Sequence, residues 1–361
     1  MHPFQENLQT WLSRRMPSHV SNQSADLPFI LSSDIGLVRK ENQDRVAALY
    51  TGKKSINPLL AIVVADGMGG MRDGGRCATL AVSSFFHHLI QYRNLDIKVR
   101  AAEAIKASNG QVFSLYHGGG GSTLTAFLLD SHGAQIVVHL GDTRIYTFGV
   151  DRKVERHTVD DSLVEAVGGS GRELLQFVGM GDSMQPQVSD LGSLNGFCAI
   201  TTDGIHGIEG ATLNQILANS HRIDQASERL NSVAKWCGGR DNATSAIFDM
   251  AKMSSLLAQY DGSGIRIWDA GGDLTALWLR EEDQAFNVKQ ARGPGAKESE
   301  EKPSPRLLDS DCPDSVHRPK KINPSVKKSR KKKAKGDSED IQLDIQIGNS
   351  EGQGESGANS K

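Results

Sequence analysis

Three aspartates stand where a carboxylate can do chemistry: Asp66 in DGMGG, Asp203 in TTDG and Asp241 in GGRDN. Each lies at the end or start of an apolar, strand-like run, beside glycine or asparagine. A carboxylate at a strand tip projects into a shared cleft, and the bare glycine backbone lets a metal or phosphate come close. Three converging carboxylates repel one another unless cations neutralise them, and ligation by oxygen alone suits magnesium or manganese rather than zinc. A lone Asp-Gly would mark no more than a turn; the recurrence points to a metal centre. Upstream, SSDIGLVRKENQDR (residues 32–45) adds Arg39 and Asp44. A guanidinium grips phosphate through two parallel hydrogen bonds, which a carboxylate cluster cannot do. By itself Arg39 would read as a solvated surface charge.

The elements that must position these residues follow from the apolar pattern. LLAIVVAD (59–66) is a buried strand ending in a carboxylate, and helices follow over 77–90 and 99–116. STLTAFLLD and AQIVVHLGD, joined by Ser131-His132-Gly133, read as an antiparallel hairpin, and RIYTF (144–148) continues the sheet. FCAITTDG (197–204) is a strand, 226–236 a helix and NATSAIFD (242–249) a closing strand. Strands, then helices, then strands indicate an α+β fold rather than a parallel α/β sheet. IRIWD and LTALWL, separated by Ala-Gly-Gly-Asp, form an accessory hairpin. The expected division is an N-terminal extension (1–27), a folded domain (28–250), the accessory hairpin (251–290) and a disordered tail (291–361).

The tail is Pro, Ser, Lys and Glu with few aromatics, too poor in apolar area to repay ordering. Within it, residues 318–335 are strongly basic, and IQLDIQI (341–347) alternates like a single strand. Net charge over the 361 residues is -2, which gives a nucleic-acid role no support. The four cysteines include no Cys-x-x-Cys pair, so neither a disulfide framework nor a zinc site is indicated. The N-terminus lacks the apolar run of a secretion signal, and no stretch of about 18 apolar residues occurs. A soluble, cytoplasmic protein is expected.

Taken in order, GLVRKENQD, VVADGMGG, GGGGSTLTAFLL, VVHLGDTRIY, AITTDG and GGRDNAT resemble the metal-dependent (type 2C) serine/threonine protein phosphatases over about residues 28–250. The resemblance implies an α/β/β/α sandwich of two antiparallel sheets, with the metals at one edge between them. It implies that Asp66 bridges two ions, Mn2+ or Mg2+, with the Gly67 carbonyl on one of them and Asp203 and Asp241 on the other. Asp44 matches the acid that supports the metal-bound waters, Arg39 the phosphate-binding arginine, and Asn242 a residue orienting Asp241 or a water. A hydroxide bridging the ions would attack phosphorus in line, with no phosphoenzyme. Bacterial members commonly bind a third metal through the aspartate matched by Asp142. A further acid used there is Gly207 in this chain, so the third site rests on Asp142 with Asp203, and His206 is a further candidate donor. Other departures are Met68 where relatives carry a histidine acid, Gln43 before Asp44, Asp160-Asp161-Ser162 for Asp-His-Ser, and a short flap after it.

Two decoys remain. Cys312 and Arg318 have the Cys-x5-Arg spacing of cysteine-dependent phosphatases, but no glycine-bearing loop or folded flank supports them. Gly118–Gly121 suggests a phosphate loop, yet no Lys-Ser or Lys-Thr follows. The expected function is hydrolysis of phosphoserine and phosphothreonine in proteins, including a serine/threonine kinase or its targets. The rival is a catalytically weak phosphoprotein-binding module on the same scaffold. A third reading makes the basic tail the working part, through sequence-independent contact with nucleic acid.

Overall fold

The computed structural model describes residues 2–22, 26–149, 151–168, 173–192, 194–259, 264–277 and 344–348. The chain opens with helix α1 (Pro3–Leu12) and strands β1 (His19–Asn22), β2 (Phe29–Asp34), β3 (Arg45–Thr51) and β4 (Leu59–Ala65). Helices α2 (Gly74–Gln91) and α3 (Ile97–Tyr116) lead to β5 (Leu124–Asp130), β6 (Gln135–Leu140), β7 (Arg144–Phe148) and β8 (Val154–Arg156). After the short α4 (Leu163–Val167) come β9 (Gln187–Asp190), β10 (Phe197–Thr201), α5 (Asp203–His206), α6 (Gly210–Ala218) and α7 (Ile223–Trp236). The series ends with β11 (Ala243–Asp249), α8 (Met250–Gln259), β12 (Ile265–Asp269), β13 (Gly272–Leu277) and β14 (Asp344–Gly348).

The strands form two sheets, ordered β1-β2-β11-β10-β7-β8 and β14-β13-β12-β3-β4-β5-β6-β9, and every neighbouring pair is antiparallel. Alternation along each strand divides its side chains between two cores. Val46, Ala48 and Tyr50 of β3 and Leu60, Ile62 and Val64 of β4 meet Phe29, Leu31, Ile200, Ala246 and Phe248 of the smaller sheet. Phe127 and Phe248 touch across this layer with ring centroids 4.9 Å apart. The opposite face of the larger sheet packs on α1, α2 and α3, and that of the smaller sheet on α5, α6 and α7. The α/β/β/α sandwich is thus present.

The expected boundaries shift at both ends. Residues 1–27 are more than an extension: α1 buries Phe4, Leu8, Trp11 and Leu12 in the core beneath α2, and β1 pairs with β2. Arg14 grips Asp269 of β12 with both guanidinium nitrogens, one at 2.7 Å, and lies 4.2 Å over the Trp11 ring. The β12–β13 hairpin is not appended but continues the larger sheet, because β12 pairs with β3 from Ile265↔Thr51 to Asp269↔Ala47. Trp268 from that strand packs edge-on against Phe29, 5.4 Å between centroids. Within the expected disordered tail, residues 344–348 pair with β13, so the alternating IQLDIQI segment finds a sheet edge. The rest of the tail, with Cys312, Arg318 and the basic run, lies outside the described residues. Among the described residues Cys77, Cys198 and Cys237 are free thiols, and no helix is long and apolar enough to cross a membrane.

Because Leu8 is 1% exposed, Leu8→Ala should lower unfolding stability by about 3 kcal/mol in a urea titration. An unchanged midpoint would mean that α1 contributes nothing to the core.

Candidate metal centre

Antiparallel register decides where the acidic residues go. In the larger sheet Ala65 pairs with Arg45, Val64 with Thr125 and Leu140 with Leu124. In the smaller one Thr201 pairs with Arg144 and with Ser245, and Ala243 with Asp34. Asp44, Asp66, Asp142, Asp203 and Asp241 lie one or two residues beyond these ends, and their charges act on one another. The strand run expected to reach Gly204 stops at Thr201, because the Thr202 carbonyl accepts the N–H groups of Ile205 and His206 and turns the chain into α5 at Asp203.

Hydroxyl groups hold the aspartate backbones in place. The Asp66 N–H donates to Thr123 Oγ1 at 2.9 Å, and its carbonyl accepts from the Thr123 N–H and the Ser122 hydroxyl, each at 2.8 Å. A Cβ on Gly67 would lie 2.3 Å from the Gly74 backbone, so the turn after Asp66 admits glycine alone. The Gly118–Gly121 run braces this turn: Met68 N–H donates to Gly121 O at 3.1 Å and Arg72 N–H to Gly119 O at 3.0 Å. Asp44 is buried; its Oδ2 accepts from Thr202 Oγ1 at 3.0 Å, and Thr202 Oγ1 accepts from the Thr244 N–H at 3.0 Å. No donor reaches the buried Asp44 Oδ1.

The loop from Ile35 to Asp44 crosses from β2 in one sheet to β3 in the other and carries Arg39. Asn242 secures it. Its Nδ2 donates to Ile35 O at 2.9 Å and Glu41 O at 3.0 Å, and its Oδ1 accepts the Gln43 N–H at 2.8 Å. The side chain expected to orient Asp241 or a water therefore holds the crossing loop, and only the Asn242 backbone N–H reaches Asp241, at 2.9 Å from Oδ1. Arg39 Nη2 donates to Asp241 Oδ2 at 2.6 Å, and this bond raises the guanidinium pKa further.

Burial is the largest cause of the shifts among the acids. It pushes Asp44 up to about 7 and Asp142 up to about 6, with repulsion from Asp203 added in both. Asp66 rises well above its ordinary 3.8, through burial and then the charges of Asp44 and Asp203. His206 is turned to other work: its Nδ1 bonds Thr201, and burial together with Arg144 and Arg156 keeps it neutral. Asp160 accepts from both Arg144 and Arg156, whereas Asp161 takes the Gly141 N–H at 3.0 Å and so anchors the base of the flap beside Asp142.

The acids are gathered but not closed. No group of three His, Cys, Asp or Glu side chains among the described residues forms a ready cage, as expected where like charges face one another and Arg39 occupies Asp241. The donor set still fits hard divalent cations: all ligands are oxygen, one buried carboxylate oxygen lacks a donor, and the raised pKa values report charge that wants neutralising. Sequence reasoning missed Thr123, Thr202 and Thr244. The available signal was a pair of hydroxyl residues at each strand end, in STLT, ITTD and NATS.

An acid whose folded pKa is raised binds more protons in the native than in the unfolded state, so the stability contributed by Asp142 and Asp44 is fullest below 3.8 and is lost as pH rises through about 6 and 7. Divalent cations bind the deprotonated form. The gain in Tm on replacing chelator with Mn2+ should therefore grow between pH 4 and pH 8, by calorimetry. A gain independent of pH would remove these acids from the site.

No protein-family model matches the chain. Protein phosphatase PhpP of Streptococcus pneumoniae serotype 2 is 27% identical over 245 residues, covering 61% of this chain and 96% of that protein. The phosphatase MsPP from Mycobacterium smegmatis, solved with cacodylate, is 25% identical with a TM-score of 0.50, covering 62% of this chain and 98% of that one. The catalytic domain of PstP, solved with two manganese ions, shares the fold at 24% identity and a TM-score of 0.50, over 64% of this chain and 98% of its own. Fold, motif order and these likenesses agree: the chain is similar throughout its folded part to bacterial type 2C, metal-dependent serine/threonine protein phosphatases.

Proposed function

We propose that this chain hydrolyses phosphoserine and phosphothreonine in proteins with the help of Mn2+ or Mg2+. The observation that carries the reading is the gathering of Asp44, Asp66, Asp142, Asp203 and Asp241 at one end of the sandwich with Arg39 beside them. Asp66, the Gly67 carbonyl, Asp203 and Asp241 would hold two ions, and Asp142 with Asp203 is suited to a third. Such ions make hydroxide available near neutral pH and offset charge on the phosphoryl oxygens.

The chain's own groups do the rest. Asp44 keeps a carboxylate oxygen aimed at the site from a position fixed by Thr202. Arg39, paired with Asp241 in this structure, exchanges that partner for the substrate phosphate, which it orients for in-line attack. With Met68 in place of a histidine, the leaving oxygen takes its proton from solvent rather than from a side chain on the Asp66 turn.

In this reading the enzyme works in the cytoplasm on a serine/threonine kinase or that kinase's targets. The catalytic unit takes in residues 1–27 and the β12–β13 hairpin besides 28–250. Residues 291–361 act in targeting, where the basic run offers an anionic partner, nucleic acid included, sequence-independent attraction.

Hydrolysis of a phosphothreonine peptide should require added Mn2+ and stop with chelator. Asp66→Ala or Asp203→Ala should cut kcat at least about a hundredfold with the fold retained; near-normal rates in both would refute the site. Arg39→Ala should raise KM about tenfold more than it lowers kcat, since the guanidinium grips bound phosphate before and during attack. Unchanged constants in a peptide assay would take Arg39 out of the mechanism.

A further inference from the structure

Two strips of chain lie side by side next to Arg39. Residues 37–40 of the crossing loop and residues 236–241 from the end of α7 are joined by the Leu37 N–H, which donates to Gly239 O at 2.7 Å, and by the Arg39 to Asp241 ion pair. The turn that ends α7 is tight: Gly238 and Gly239 have φ of +116° and +49°, and the Gly239 N–H reaches back to Ala234 O at 3.2 Å. It leaves Trp236 87% exposed, while Leu37 is 62% and Val38 65% exposed. Trp236 therefore adds almost nothing to the core, although its large side chain sits where α7 delivers Asp241. Exposed apolar groups rimmed by charge mark a contact surface.

We propose that Leu37, Val38 and Trp236 form the docking surface for the substrate segment around the phosphorylated residue, and that they select phosphoproteins with apolar side chains beside it. This rests on the phosphatase reading. The occupant follows from continuity and charge. Val38 precedes the phosphate-gripping Arg39 in the chain and is 65% exposed, so a segment that presents a phosphate to Arg39 brings its neighbouring residues beside this strip. Arg39, Lys40 and Arg240 are all exposed on the two strips, with Glu41 and Asp241, the ion-pair partner of Arg39, the nearby acids. An anionic phosphosegment complements them, whereas an isologous contact with a second copy would set these cations against themselves.

The test uses the full-length protein with Mn2+ and three substrates: a small aryl phosphate and two phosphothreonine peptides that differ only in leucine or serine beside the phosphothreonine. The natural sequence should favour the leucine peptide in kcat/KM, and Trp236→Ala should raise KM for it by about tenfold. The serine peptide and the aryl phosphate should be unaffected, since neither covers the strip. Equal use of the two peptides by the natural sequence, a preference retained by Trp236→Ala, or a parallel loss on the aryl phosphate would each overturn the proposal. So would a concentration-dependent dimer, by sedimentation, that Trp236→Ala dissolves, because the surface would then belong to a second copy. Absence of metal-dependent turnover on the aryl phosphate by the natural sequence would instead overturn the phosphatase reading itself.

Discussion

Repulsion among carboxylates is the constraint on which this structure turns. Asp44, Asp66, Asp142, Asp203 and Asp241 come from both sheets, and apolar strands wall off most of the water that would otherwise screen them. A folded chain can meet that demand by protonation, by a cation from solvent or by a cation of its own. All three are written into the site: raised pKa values at Asp44 and Asp66, oxygen donors for divalent ions, and Arg39 on Asp241. The scaffold's task is to keep the acids in place while those neutralising agents exchange.

That task falls on buried hydroxyl and amide groups rather than on the apolar core. Thr123, Thr202 and Thr244 fix the strand ends, and Asn242 fixes the loop that passes between the sheets. Such polar groups are stabilising only when satisfied, and here each meets a named backbone or side-chain partner, which makes the arrangement rigid as well as specific. The apolar layers set the distance between the sheets; the polar ends set the position of each acid.

Much of this was legible in the sequence. Apolar runs such as LLAIVVA and AITT are buried on both faces, so their ends, and the aspartates on them, stand out against the pattern. The family's motif order then supplied roles for Arg39, Asp44 and Asp142. What could not be read was long-range pairing. Nothing local says that α1 belongs under α2, that β12 takes β3 as its neighbour, or that residues 344–348 add to β13. Those elements are short and their partners distant in the chain, and pairing of that kind depends on which sheet edge is left open. The long reach of Asn242 was out of view for a related reason: its position beside Asp241 suggests a local duty, whereas its amide also fastens the loop some two hundred residues earlier.

The geometry of that amide also gives the protein a clock. Nδ2 of Asn242 faces two carbonyl oxygens, Ile35 O and Glu41 O. Deamidation would exchange the nitrogen for an oxygen and turn two attractions into two repulsions, while adding a further negative charge beside Asp241. The chemical change is one of the smallest a protein undergoes with age, yet it would fall on the fastening that holds Arg39 over the acids. Burial of that side chain, 4% exposed, keeps water from the amide and so slows the clock at the catalytic end.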